Sequence, residues 1–244
     1  MVAKARMFVD KIVVERPKEG ADAYPFSTPA IKDLKSLSFK SPVTFFVGEN
    51  ASGKSTLLEA IALASGFNPE GGSRNFTFAL RPSESQLHES LVIHRSARPK
   101  TGFFLRAESF FNVATQVDDL DQEIKQAVYG GKSLHEQSHG ESFLAVVANR
   151  FGPNGLYLLD EPESALSFRG QLALLVRINE LSAQNCQFIV ATHSPVLMAY
   201  PGAEIFSFTE EGLTKTDYED TDHYQMMSSF YESRERFFKH LFEE

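Results

Sequence analysis

Two kinds of apolar spacing alternate along this chain. Short continuous runs occur at Val43-Thr44-Phe45-Phe46-Val47, Leu156-Tyr157-Leu158-Leu159 and Gln187-Phe188-Ile189-Val190-Ala191-Thr192. Their length and their β-branched and aromatic content predict strands buried on both faces. Ser55–Ser65, about Glu141–Arg150 and Ser167–Ala183 read instead as helices, the last with Leu172, Leu175, Val176, Ile178 and Leu181 at its apolar positions. Residues 6–15 also read as a strand, further strands are expected at Leu91–His94 and at Gly102–Arg106, and a helix is expected over 113–129 that Gly130-Gly131 stops. Residues 16–36, with Pro17, Gly20, Pro25 and Pro29, predict mostly loop, and residues 66–90, rich in Gly, Pro, Ser and Asn, predict irregular chain. A hairpin of Glu204–Phe208 and Leu213–Thr216 and a final helix from about His223 complete the pattern. Buried strands alternating with helices predict an α/β fold around a mostly parallel central sheet flanked by helices. An N-terminal β subdomain and a small inserted helical lobe at about 113–150 are expected additions, with the C-terminal hairpin and helix at about 204–244.

Composition narrows the class without changing that picture. A chain of 244 residues, 42% hydrophobic and 23% charged, can bury a core, and one domain spanning 1–244 is the expectation. No run approaches the roughly 18 to 20 apolar residues that cross a bilayer, so no transmembrane segment is expected. Asp10 interrupts the N-terminus before any secretory-type apolar run forms. Cys186 is the single cysteine, which excludes an internal disulfide and fits a reducing, cytoplasmic setting. The net charge of −8 gives no general footprint for nucleic acid, although a local basic groove is compatible with that average. The paired phenylalanines at 45–46, 103–104 and 110–111 fit core strands better than base-stacking platforms.

The chemistry begins where the first buried run ends. Gly48-Glu49-Asn50-Ala51-Ser52-Gly53-Lys54-Ser55 matches G-x-x-x-x-G-K-[ST] at every fixed position, Thr56 follows, and a strand and a helix flank it. Glycines let the loop tighten until backbone N–H groups point inward at phosphate oxygens, and the helix start adds favourable partial charge. Lys54 supplies a positive charge for the β- and γ-phosphates, and the Ser55 hydroxyl a ligand for Mg²⁺. A P-loop NTPase is the implied fold. The second buried run ends in Asp160-Glu161, which places one carboxylate for the metal and the next for polarising an attacking water.

Past the P-loop the chain resembles the ATP-binding-cassette (ABC) ATPase superfamily, most closely its small stand-alone relatives described as AAA-family ATPases. Asp160-Glu161-Pro162-Glu163-Ser164-Ala165-Leu166-Ser167 is similar to that superfamily's Walker B and D-loop, with Ser167 where the family usually has Asp. His193 in Ala191-Thr192-His193-Ser194-Pro195 resembles its switch histidine. Gln137-Ser138-His139-Gly140-Glu141 is similar to its L-S-G-G-Q signature, with Ser138 and Gly140 retained.

The resemblance implies ATP and Mg²⁺ as ligands and ATP hydrolysis as the activity. It assigns phosphate contacts to Gly48, Asn50, Ala51, Ser52, Gly53, Lys54, Ser55 and Thr56, and to Ser138 and Gly140 acting on the opposite subunit's nucleotide. Tyr24, with Phe26 as second candidate, takes the adenine-stacking position. Glu108, or alternatively Gln86, takes the place of the family's glutamine loop beside the metal, with Ser55 and Asp160 as metal ligands. Glu161 and His193 are the implied catalytic pair. An ATP-dependent homodimer acting on an unknown protein partner is the implied assembly. A transporter's nucleotide-binding subunit and a slow ATP-gated DNA-maintenance protein are the alternatives. Only 84 residues separate Lys54 from Ser138, without sustained heptads, so the long coiled-coil arm of the chromosome-maintenance relatives is not expected.

Overall fold

A computed structural model describes residues 7–18, 20, 23–69, 71–72, 86–108 and 138–243. In chain order its strands are Lys11–Val14 (β1), Ser36–Ser38 (β2), Val43–Gly48 (β3), Leu91–His94 (β4) and Thr101–Arg106 (β5). Gly155–Asp160 (β6), Gln187–Ala191 (β7), Glu204–Thr209 (β8) and Gly212–Thr216 (β9) follow. Its helices are Pro29–Lys32 (α1), Lys54–Ala64 (α2), His139–Arg150 (α3), Phe168–Ser182 (α4), Pro195–Met198 (α5), Asp222–Glu232 (α6) and Arg234–Glu243 (α7).

The three buried runs lie side by side as β6, β7 and β3, in a sheet ordered β5-β6-β7-β3-β8-β9. Every pairing from β5 to β8 is parallel, and only the β8–β9 hairpin is antiparallel. This is the mostly parallel α/β sheet that the apolar pattern predicts. Successive strand residues point to opposite faces, which accounts for the paired phenylalanines. Phe46 and Phe104 join α2 and the β1, β2 and β4 strands in one core layer, while Phe45 and Phe103 join α3 and α4 in the other. The first layer includes a separate antiparallel sheet, β2-β1-β4, the expected N-terminal β subdomain. The buried Gln187 ties the N-terminal segment to the main sheet. Its Oε1 accepts from Phe8 N and Val9 N, at 2.8 and 2.9 Å, and its Nε2 donates to the Val9 carbonyl at 2.9 Å.

The stretch over 16–36 is mostly loop, as expected, and holds the single turn α1, where Pro29 stands at the start with its fixed φ tolerated, and the first residue of β2. Three expectations need correction. The N-terminal strand is shorter than the expected 6–15, pairing over Lys11–Val14. The final helix is two, α6 and α7, divided at Ser233, whose φ and ψ of −154° and 88° are not helical. In α4 the buried stripe is Leu174, Ile178 and Leu181. Phe168, Leu172 and Val176 are 63%, 43% and 60% exposed and border an open groove with Tyr224, Met227 and Tyr231. Periodicity marks both stripes as apolar and cannot say which one meets the sheet. The helix expected over 113–129 and the first part of the inserted lobe lie outside the described residues. Among the described residues no helix is long and apolar enough to cross a membrane.

Candidate functional site

In an open parallel sheet, ligands collect at the carboxyl ends of the strands. Here β3, β6 and β7, all neighbours, end in Gly48, Asp160 and Ala191. Gly48 has a φ of +139°, and a Cβ there would stand 2.3 Å from the Phe208 carbonyl oxygen, so only glycine lets the chain leave β3 this way. Gly53, at φ +103°, caps α2 without a side-chain bond, and no acid occupies the helix's first turn. The first N–H groups of α2 are thereby left for an anion. The cavity over this loop is lined by Asn50–Thr56 together with Tyr24, Thr28, Glu108 and Glu161.

Lys54 is buried, and its Nζ donates to the carbonyls of Gly48 and Glu49 at 2.9 and 2.7 Å. Burial lowers its proton affinity, against the raising effect of Glu161, Asp160, Glu163 and Glu49. Ser55 Oγ donates to Asp160 Oδ1 at 2.8 Å. These two oxygens come from different elements, and a hard oxygen pair of this kind suits Mg²⁺. The buried Ser52 hydroxyl and His193 Nε2 have no hydrogen-bond partner among the described residues. Two unmatched polar groups beside a cradle of N–H donors fit an anionic, phosphate-bearing ligand.

Asp160 is held from its far side by Arg106 at the end of β5. The Arg106 guanidinium lies 3.6 Å from Asp160 Oδ2, 2.6 Å from Glu59 Oε2 and 3.9 Å from Glu108 Oε2. Burial nevertheless outweighs Arg106 and the Ser55 bond, and the Asp160 carboxyl is pushed up to about 6. A carboxyl whose folded-state pKa is raised binds its proton better when folded, so the penalty is fully present above about pH 6 and fades below pH 4. Asp160→Asn keeps an acceptor for Ser55 and removes that penalty. We expect the ligand-free variant to be more stable than the parent at pH 7.5 by about 1–3 kcal/mol. The gap should close towards pH 4 in paired thermal melts, and a variant no more stable at pH 7.5 would contradict the assignment of cost.

Glu161 adopts a left-handed backbone, φ 48° and ψ 50°, which is uncommon for a side-chain-bearing residue. Its N–H donates to the Ala191 carbonyl at 2.9 Å, and its Oε1 lies 3.7 Å from His193 Nε2. His193 follows β7 and has a lowered proton affinity, first from burial and then from Lys54. Its backbone is fixed by Glu163, a residue to which the sequence attached no role. Glu163 accepts from His193 N at 2.6 Å and from Thr192 Oγ1 at 2.7 Å. Burial raises the Glu163 carboxyl against those bonds. Gln171 is a second unanticipated support, accepting from Ser194 Oγ at 2.5 Å.

Of the remaining candidates, Tyr24 is 66% exposed, and its hydroxyl is 3.2 Å from Thr56 Oγ1 at the cavity's rim. Phe26 is buried with the Arg16 guanidinium 5.6 Å from its ring centre, so it belongs to the core and is not free to stack on a base. Glu108 lines the cavity, whereas Gln86 opens a 3₁₀ turn ahead of β4 and does not. Ser138 and Gly140 are not among the cavity-lining residues. Ser138 instead caps α3 in a reciprocal box: its Oγ accepts from Glu141 N at 3.4 Å, and Glu141 Oε2 accepts from Ser138 N at 3.0 Å. Gly140 packs close to the segment after Glu163, since a Cβ would meet the Ala165 carbonyl oxygen at 3.2 Å. Gln137 lies outside the described residues.

A family model described as "AAA domain" matches residues 26–140, and one described as "AAA domain, putative AbiEii toxin, Type IV TA system" matches residues 133–199. An uncharacterized ABC transporter ATP-binding protein of Haemophilus influenzae is 25% identical over 84% of this chain and 82% of its own. The energy-coupling factor transporter ATP-binding protein EcfA2 of Methanospirillum hungatei is 27% identical over 78% of this chain, which spans about half (51%) of that protein. The solved structure of cbiO1 from Clostridium perfringens, part of the ABC transporter complex cbiONQ, superposes with a TM-score of 0.50 at 17% identity. That match covers 97% of this chain and 99% of the other, a likeness of fold. With the P-loop, the acidic strand end and the histidine gathered at the carboxyl ends of its parallel strands, the chain has the fold of a P-loop ATPase and is similar to the ABC-type ATP-binding proteins.

Proposed function

We propose that this protein binds ATP with Mg²⁺, hydrolyses it, and closes as a homodimer around two nucleotides to drive a conformational cycle in a protein partner. The observation that carries the reading is the convergence of Lys54, Ser55, Asp160, Glu161 and His193 on the ends of three adjacent parallel strands. Lys54 and the loop N–H groups hold the β- and γ-phosphates, with Gly48, Asn50, Ala51, Ser52, Gly53 and Thr56 shaping the cradle. Bound through Ser55 and Asp160, with Glu108 nearby, Mg²⁺ supplies charge neutralisation on the phosphate oxygens. Glu161 orients the attacking water and accepts its proton. His193 donates towards the γ-phosphate oxygens, where charge builds up as the bond breaks. Tyr24, largely exposed at the rim, stacks on adenine in this reading.

Ser138 and Gly140 stand at the exposed start of a helix of twelve residues. In the dimer that helix end addresses the partner's γ-phosphate, with the Glu141 carboxylate that accepts from Ser138 N giving way to it. The names of the two relatives support a second reading, a nucleotide-binding subunit of a membrane transporter. Co-purification of a membrane protein with a hydrolysis-blocked variant would favour that reading over a non-membrane partner.

Steady-state hydrolysis tests the assignment of His193. His193→Ala should lower kcat about a hundredfold while ATP affinity changes by less than threefold, because its interaction strengthens mainly in the transition state. Unchanged turnover would return His193 to a purely structural part in the loop after β7.

A further inference from the structure

The C-terminal helices bring a second histidine to the phosphate site. His223 stands in the first turn of α6, with its ring centre 5.7 Å from that of His193 and the two planes tilted by 58°. The backbone of His193 is pinned by Glu163, but its ring is held loosely. Nε2 has no hydrogen-bond partner among the described residues, and the Glu161 carboxylate at 3.7 Å is beyond good hydrogen-bond length. His223 is the ring against which it rests.

His223 is itself delivered by a well-fixed segment. Tyr218 Oη donates to the carbonyl of Pro195 at 3.0 Å, two residues beyond His193. The buried Thr221 donates from its Oγ1 to the Tyr218 carbonyl at 2.7 Å and accepts from Tyr224 N at 3.3 Å, capping α6. The Tyr218 and Tyr224 rings meet edge to face at 4.9 Å. The turn that follows β7 and the start of α6 are thereby locked together, with one imidazole projecting from each.

We propose that His223 is a positioning residue for His193, holding the switch ring in its productive orientation, so that hydrolysis depends on the C-terminal helix α6. Electrostatics are compatible with such a contact. Burial lowers the proton affinity of both rings, Lys54 lowers it further on each, a charge on His223 lowers that of His193 as well, and the opposing carboxylates are Glu49 and Asp222 at His223 and Glu161 and Glu49 at His193. Two neutral rings pack without like-charge repulsion. The start of a helix also disfavours a cation at His223.

The inference rests on the ATPase reading, and the experiment separates the two. Wild type, His193→Ala, His223→Ala, His223→Phe and the double His193→Ala/His223→Ala variant are compared for kcat, KM and ADP affinity. His223→Ala should lower kcat about tenfold, with KM and ADP affinity within twofold of wild type. His223→Phe, which restores a flat ring against His193, should recover kcat to within about threefold. In the double variant, removing His223 should cost nothing beyond the loss from His193→Ala, since groups that act through one another are not additive. A further tenfold loss in the double variant would show that His223 acts independently and would overturn the proposal, as would unchanged kcat in His223→Ala. A wild type without ATPase activity would instead overturn the underlying reading. ADP binding reports on each variant's fold without involving the γ-phosphate.

Discussion

Glu161→Gln should lower ATP turnover about a thousandfold while leaving ATP binding intact. A carboxamide occupies the same volume as the carboxylate and keeps an oxygen to orient water, but it cannot accept the proton that the nucleophile sheds. General-base catalysis of this kind typically contributes roughly 10²–10⁴-fold. The residue's setting supports so large a share. Its left-handed backbone and its N–H bond to Ala191 fix the side chain at the junction of β6 and β7. His193 Nε2 lies 3.7 Å away. Phosphate release at saturating ATP is the measurement, and a loss of less than tenfold would move the base elsewhere.

Lys54→Ala should weaken ATP binding roughly a hundredfold or more and leave the fold in place. In the ligand-free protein the ammonium is satisfied by two loop carbonyls, Gly48 and Glu49, which hold it at the centre of the cradle. Its removal withdraws charge-assisted bonds to phosphate, each worth about 1.5–3 kcal/mol, and two such bonds correspond to a hundredfold or more in affinity. Calorimetry gives the affinity and a thermal melt the fold. A variant that folds and binds ATP as tightly as the parent would refute the phosphate assignment.

Much of this arrangement is legible in the sequence because it depends on local chemistry. The apolar runs that become β3, β6 and β7 are continuous, since both faces are covered, and their ends carry the glycine, aspartate and histidine that meet in space. The P-loop is readable because phosphate needs backbone N–H groups from consecutive residues. What stays hidden comes from long-range contacts. Glu163 and Gln171 look like ordinary acid and amide, and only tertiary packing turns them onto the segment 192–194, Glu163 to the Thr192 hydroxyl and His193 N and Gln171 to the Ser194 hydroxyl. Arg106 likewise becomes the partner of Asp160 only through the register of β5 on β6, where the two are directly paired. His223 is thirty residues beyond His193, on a helix whose spacing predicts nothing about where its first turn points. The sequence ranks Tyr24 ahead of Phe26 as the adenine candidate, and only the fold, which buries Phe26, supplies the physical reason. The two apolar stripes of α4 are equally periodic, and the sheet selects one.

The central proposal is an ATPase whose two subunits share each nucleotide, with hydrolysis releasing them. Glu161→Gln again provides the direct test, because it removes the reaction that would dissolve the shared site and also a negative charge beside the γ-phosphate. Molar mass by light scattering, at saturating ATP with Mg²⁺ and again with ADP, is the measurement. The expected result is a dimer with ATP that returns to monomer with ADP and is lost with ATP when Ser138→Arg is added. A Glu161→Gln protein that remains monomeric at saturating ATP would contradict the shared-nucleotide dimer.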